Sequence, residues 1–125
     1  MKILCYIFMR EGIDMTGQLK NEDIMRLKLL SKFFKGFADY NRLCIFESLM
    51  DSEKTVSEII EYTGFSQSKI SNHLKCLRES DLVDARQDGK YTYYCIKDDK
   101  IRTILSIAND SVKDVSEEKY NCMRY

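Results

Sequence analysis

The sequence has no proline, only five glycines and a single histidine in 125 residues. A chain so poor in proline and glycine is neither collagenous, nor a flexible linker, nor a Pro-rich recognition segment. It has no excess of either charge, since 20 Lys and Arg balance 20 Asp and Glu. Net neutrality excludes a polycation that coats nucleic acid by bulk attraction, so any basic surface must be local. Nor is there a bilayer-spanning run. Ile3 to Met9 (I-L-C-Y-I-F-M) is apolar but only seven residues long, between Lys2 and Arg10, against the ~20 a spanning helix needs. No small-residue cleavage site follows it, as a signal peptide would require. It reads as a short strand or helix packed on the domain, or as part of an over-long start, since Met9 and Met15 could each begin the same domain. No membrane association is expected.

The five cysteines, Cys5, Cys44, Cys76, Cys95 and Cys122, are odd in number and form no C-x-x-C pair. That argues against a secreted disulfide framework and for a reducing cytosol. Each is read first as a small buried hydrophobe, Cys44 above all.

What the sequence does contain is an ordinary globular balance, 44% hydrophobic and 32% charged, in 14.7 kDa. This is enough for one small domain whose core is easily shared with a second subunit. Ile24, Leu27, Leu30, Phe34 and Phe37 recur at helical spacing and predict a helix over 21–38. Asp39 can cap a second helix, Tyr40 to Met50, with Leu43, Phe46 and Met50 among its apolar positions. Thr55-Val56-Ser57-Glu58 fits a capping box that opens a short helix. Gly64 ends it, because a left-handed residue is cheap only without a Cβ. Ser66 caps the next helix, to about Ser80. Two helices joined by the tight T-G-F-S turn are a helix-turn-helix. Leu82 to Arg86 and Tyr91 to Ile96 are β-rich and flank a D-G turn, a hairpin signal. From Asp99 to about Val115, the residues Ile101, Ile104, Leu105, Ala108, Val112 and Val115 form an apolar helical stripe. The expected fold is mainly α with a β-hairpin wing: a winged helix-turn-helix in the order α-α-α-α-β-β-α. Residues 1–20 form an N-terminal extension, 21–115 the domain with its dimerisation helices, and 116–125 a frayed polar tail.

On the helix from Ser66, the residues Ile70, Leu74 and Leu77 gather on one side and must face the core. Ser68, Ser71, Asn72 and Lys75 gather on the other, with Gln67 near the N-terminal end that enters a groove most deeply. From Ser66 to Arg78 the charges are Lys69, Lys75 and Arg78, with no acid among them. Gln and Asn pair bidentately with adenine, Ser can serve several bases, and the free amides of the helix start attract phosphate. An ordinary solvated helix face would share some of this composition, but the turn before it and the hairpin after it favour DNA. At the hairpin tip, Arg86, Gln87 and Lys90 can add salt-dependent contacts, opposed by Asp84 and Asp88.

These residues resemble the ArsR/SmtB family of bacterial and archaeal repressors over residues 33–105. The matching pieces are F-A-D-Y-N-R-L-C-I-F, T-V-S-E-I-I-E-Y-T-G-F-S-Q-S-K-I-S-N-H-L-K-C-L-R-E-S-D-L-V and R-Q-D-G-K-Y-T-Y-Y. Tyr40 departs from the pattern, standing where the family usually has proline, which should alter a helix start and not the fold. The resemblance implies a homodimer that binds double-stranded DNA at a palindromic operator, releases it when an inducer binds, and pairs through its first and last helices. It carries DNA contacts over to Gln67, Ser68, Ser71 and His73 on the helix and to Arg86 and Lys90 on the wing, beside Ser66, Lys69, Asn72 and Lys75.

Many relatives sense metals. The family's C-x-C site in the third helix is absent, since V-S-E-I-I-E has no cysteine. The D-x-H and H-x-x-H/E site of the last helix aligns with Asp98, Lys100, Ser111 and Asp114, and a lysine cation in place of a histidine makes zinc a poor fit. A third arrangement, that of the cadmium- and lead-sensing CmtR branch, aligns Cys76 with one thiolate and Ser80 with a second, with Cys122 near the C-terminus as the third. Cadmium, lead or arsenite would suit such thiolates, although two thiolates and a hydroxyl make a weaker site than three. Reversible oxidation of the same pair is the redox counterpart, and incidental thiols remain the simplest account. His73 and Cys76 could be imagined as a nucleophile pair, but no third group orients them and no oxyanion site is in view, so an enzyme is not expected. The expected function is a cytoplasmic, homodimeric, DNA-binding repressor. The other class left open is a winged helix that only binds proteins, suggested by zero net charge and the acidic wing.

Overall fold

The computed structural model describes residues 16–113. The expectations for Ile3 to Met9, Cys5, Val115, Cys122 and the tail lie outside them. By internal packing the chain divides into Met1–Ala38 and Asp39–Tyr125.

In the first unit α1 spans Asn21–Lys35, three residues shorter than the stripe predicts. Gly36, Phe37 and Ala38 instead donate to the carbonyls of Phe33, Phe34 and Lys35, three residues back. This is the tighter turn with which helices often end. Phe33 meets Phe34 and Phe37 edge-on at 5.5 and 5.0 Å. Along α1 the side chains of Leu27, Leu29, Leu30 and Phe34 are exposed.

The second unit runs α2 (Tyr40–Leu49), α3 (Val56–Thr63), α4 (Gln67–Glu79), β1 (Val83–Asp88), β2 (Tyr91–Ile96) and α5 (Asp99–Lys113). With α1 this is the predicted order of a winged helix-turn-helix. Asp39 caps α2, its carboxylate accepting from the Arg42 amide at 3.0 Å. That hydrogen bond is the main reason its carboxyl is held below the usual range, with the charge of His73 adding to it against the effect of burial. Tyr40 sits at the first helical position, where a proline is tolerated because its amide has no helical partner. The departure from the family pattern therefore leaves the helix start in place.

The buried face of α2 is Ile45, Phe46, Ser48 and Leu49. Leu43 and Met50, expected on the apolar side, instead line a groove against α5. Ser48 satisfies its hydroxyl on the Ile45 carbonyl at 2.6 Å. The core is completed by Ile59, Ile70, Leu74, Leu77, Leu82, Val83, Ile96 and Ile101.

The hairpin pairs Val83 with Ile96 through Asp88 with Tyr91, so the turn residues are Gly89 and Lys90, one position later than the D-G pair suggests. Only Gly89 of the two has positive φ, +60°, which places the glycine where a type II′ turn needs it. The α2–α3 loop joins the sheet as a third, single-residue edge: Lys54 and Tyr94 exchange backbone hydrogen bonds of 2.9 and 2.8 Å. Asp81, the link from α4 to β1, takes the left-handed conformation at φ +57°, a position no sequence signal marked.

Gly64 ends α3 at φ +73°, and a Cβ there would meet nothing within 4 Å. Gly64→Ala should therefore destabilise through backbone strain alone, by about 1–2 kcal/mol, and Gly64→Asn by less. Urea denaturation of the three proteins checks both the sign and the order.

Candidate nucleic-acid interface

The helix-turn-helix is held by hydrogen bonds that the sequence dictates locally. Thr55 and Glu58 form the complete capping box at the start of α3, with bonds of 3.3 and 2.8 Å. At its end the Thr63 hydroxyl donates to the Ile59 carbonyl at 2.8 Å and accepts from the Phe65 amide at 3.3 Å. The Gly64 amide donates to the Ile60 carbonyl at 2.8 Å. Two residues later Ser66 caps α4 through the Lys69 amide at 3.3 Å. Almost no chain is spent between the helices, so α4 leaves the turn in a fixed direction.

Along α4, Ile70, Leu74 and Leu77 are at most 1% exposed. Helical geometry then turns Ser68, Ser71, Asn72 and Lys75 outward, and all four are exposed, as are Ser66, Gln67 and Arg78. Lys69 is half-buried, its ammonium 4.2 Å from the centre of the Phe65 ring, a cation–π contact that keeps the charge beside the turn. His73 is also half-buried, and its charge acts on Asp39 at the start of α2. Its half-burial and its place on the helical wheel set it apart from the outward polar strip.

A cleft of about 400 Å³ opens between α4 and the wing, lined by Ser71, Lys75, Arg78, Glu79 and Tyr94. Arg78 and Tyr94 were not among the contacts expected from sequence. Arg78 stands one turn beyond Lys75 on the same face, a signal present in the spacing. Tyr94 could be found only through the register, which pairs it with Ala85.

The wing residues differ from each other. Lys90 is exposed at the tip, 5.3 Å from the Tyr91 ring. Arg86 is occupied: its guanidinium donates to both Glu53 carboxylate oxygens, through Nε at 2.8 Å and through Nη2. It lies 3.7 Å from Asp88 and stacks 4.7 Å from the Tyr93 ring centre. The pairing holds the Glu53 carboxyl below its usual range and pushes the Arg86 guanidinium further up.

The geometry is that of a reading head, with a short-chained polar strip on a rigid helix, cations beside it and a ribbon alongside. The comparisons agree. Residues 39–85, the stretch from the α2 cap into β1, match the family described as bacterial regulatory protein, arsR family. An arsenical resistance operon repressor of Bacillus subtilis is 35% identical over 88 residues, covering 67% of this chain and 84% of that protein. The chain belongs to the arsR family. The nodulation protein NolR of Rhizobium meliloti is 34% identical over 95 residues, covering 76% of this chain and 75% of that one. The solution structure of a homodimeric winged helix-turn-helix DNA-binding domain from Mycobacterium bovis superposes with a TM-score of 0.71 at 26% identity, over 80% of this chain and 92% of that one. This ArsR-family chain is accordingly a DNA-binding transcriptional regulator by class.

The thiols are placed more loosely. Cys76 is exposed and free on α4, while Cys44 and Cys95 are half-buried and free, so Cys44 is less enclosed than expected. Among the described residues no group of three or more His, Cys, Asp or Glu could hold a metal ion. Cys76 alone, with the Ser80 hydroxyl four residues on, does not fit a thiophilic ion. Among the same residues no helix is long and apolar enough to cross a membrane.

If the cleft seats a DNA phosphate, Lys75→Ala and Arg78→Ala should each reduce the slope of log K against log salt by about 0.9 with unchanged thermal melting. Titration of a labelled duplex at four salt concentrations reads the slopes.

Proposed function

We propose that this chain is a sequence-specific repressor that acts as a homodimer on a palindromic operator. The observation that carries the proposal is the outward strip of α4. Gln67, Ser68, Ser71 and Asn72 can reach base edges in the major groove, while Lys69, Lys75 and Lys90 supply phosphate contacts. Two copies of α4 would enter successive major grooves about 34 Å apart.

The dimer follows from unburied apolar surface. On α5 only Ile101 is buried, while Ile107 is 61% and Val112 49% exposed. An apolar groove of about 380 Å³ runs between α2 and α5, with walls that include Leu43, Phe46, Met50, Leu105 and Val112. A second copy would cover such surface at a gain of about 25 cal/mol per Å², and the resemblance assigns pairing to the first and last helices. The chain's role is regulatory and not catalytic, which its family membership supports, and its place is the cytoplasm, where the target DNA and unpaired thiols belong together.

The test is a mobility-shift assay on the DNA upstream of the chain's own coding region. The parent should prefer one palindromic segment over unrelated sequence. Gln67→Ala with Ser71→Ala should lose about 1–3 kcal/mol per disrupted base contact while sedimenting as the same dimer. Binding without sequence preference, together with tight capture of a protein, would assign the fold to protein–protein contact instead.

An input through Cys76 and Cys122, by cadmium, lead or arsenite, has in its favour one exposed thiol on the DNA-facing helix, and the repressor proposal routes no step through a metal. If these thiols form such an input, cadmium titration should produce thiolate charge-transfer absorption in the parent and lose it in Cys76→Ser and Cys122→Ser. Absorption and DNA release that are equal in all three proteins would remove these thiols from the switch.

A further inference from the structure

The pleat of the wing gives it two faces. Val83, Ala85 and Gln87 share one face with Ile96, Tyr94 and Thr92, their cross-strand partners. This face begins in the core at Val83 and Ile96, and through Tyr94 it walls the cleft beside α4. Arg86 and Tyr93 are the pair one step along, so they belong to the opposite face. Glu53 reaches that opposite face from the α2–α3 loop, next to the Lys54–Tyr94 bridge.

The side chains on this outer face form a chain across the two strands and the loop at their edge. Glu53 grips Arg86 with both carboxylate oxygens, and Arg86 lies over Tyr93, which intervenes between the loop and β1. The backbone bridge at Lys54 fixes β2, whereas β1 is tied to the loop, among the described residues, by the hydrogen bonds of this pair. A planar guanidinium held bidentately and stacked on a ring has a defined orientation that a lysine could not reproduce.

We propose that Arg86 is a positioning residue: together with Glu53 and Tyr93 it sets the pitch of the wing, leaving the face that carries Gln87, Thr92 and Tyr94 toward α4 as the one that meets DNA. The inference rests on the DNA-binding reading above and departs from a phosphate contact by Arg86. An arginine already neutralised by a carboxylate releases no extra counterion on binding, so its contribution should be absent from the salt dependence.

The experiment measures operator affinity of the full chain between 50 and 300 mM salt, values on the order of the physiological range, for the parent, Arg86→Gln, Glu53→Gln, Arg86→Lys, Arg86→Glu and the swap Glu53→Arg/Arg86→Glu. The pair is on the surface, and thermal melting of each variant verifies the fold. If Arg86 positions the wing, Arg86→Gln, Glu53→Gln and Arg86→Lys should each weaken binding by a similar factor, about three- to tenfold, with the salt slope unchanged. The swap should recover most of what Arg86→Glu loses. A slope reduced by about 0.9 in Arg86→Gln but intact in Arg86→Lys, with Glu53→Gln neutral or tighter and no rescue by the swap, would make Arg86 a direct phosphate contact and overturn the inference. A parent that binds no duplex would overturn the DNA reading itself, whereas a parent that binds while the swap fails overturns only the positioning role.

Discussion

Burial of three aliphatic side chains, Ile70, Leu74 and Leu77, decides which side of α4 this protein turns outward. They are at most 1% exposed, and removing any of them would cost the transfer energy of the side chain plus that of the cavity. Because they lie at i, i+4 and i+7 on one helix, fixing them fixes the rotation of α4 about its own axis. The rotation that buries them is the rotation that turns Ser68, Ser71, Asn72 and Lys75 outward. Specificity in such a head needs no charge from the protein as a whole. The polar strip and its cations are local, and a net charge of zero keeps non-specific attraction to phosphate low against the base contacts.

The turn ahead of α4 works to the same end. Thr63, Gly64 and Ser66 each satisfy backbone groups that would otherwise be left open at the facing ends of α3 and α4. With the helix ends satisfied locally, the angle between the two helices is set by burial of Ile59 on α3 and of the anchors on α4 in one core, and not by the link between them. A reading head on a rigid scaffold loses little conformational freedom on binding.

Much of this was legible in the sequence because it is encoded over three or four residues. The caps at Asp39, Thr55 and Ser66, the glycine stop at Gly64 and the aliphatic spacing of α4 are local signals, and each appears where the spacing puts it. The less legible parts depend on partners distant in sequence. Arg86 looks like a free cation at a wing tip until Glu53, 33 residues earlier, is brought beside it. The family pattern offers His73 as a DNA contact, yet the half-turn between it and Ser71 carries it to a half-buried flank of α4. The D-G pair suits a type I′ turn one residue earlier, whereas the register from Val83–Ile96 to Asp88–Tyr91 leaves a type II′ turn with glycine first. Ionic and register effects of this kind follow from tertiary contacts, which no window of a dozen residues contains.

The α2–α3 loop gathers several of these long-range constraints into five residues. Asp51 pairs with the Lys54 ammonium at 2.8 Å, Glu53 holds Arg86, the Lys54 backbone bridges Tyr94, and Thr55 caps α3. Each contact alone is an exposed interaction of small worth in water. Together they attach the start of the helix-turn-helix and both strands of the wing to one short stretch of chain. A rotation of α3 must therefore carry the wing with it, or break the bridge. Through this loop α3 and the ribbon share one anchor, which itself need touch no nucleotide.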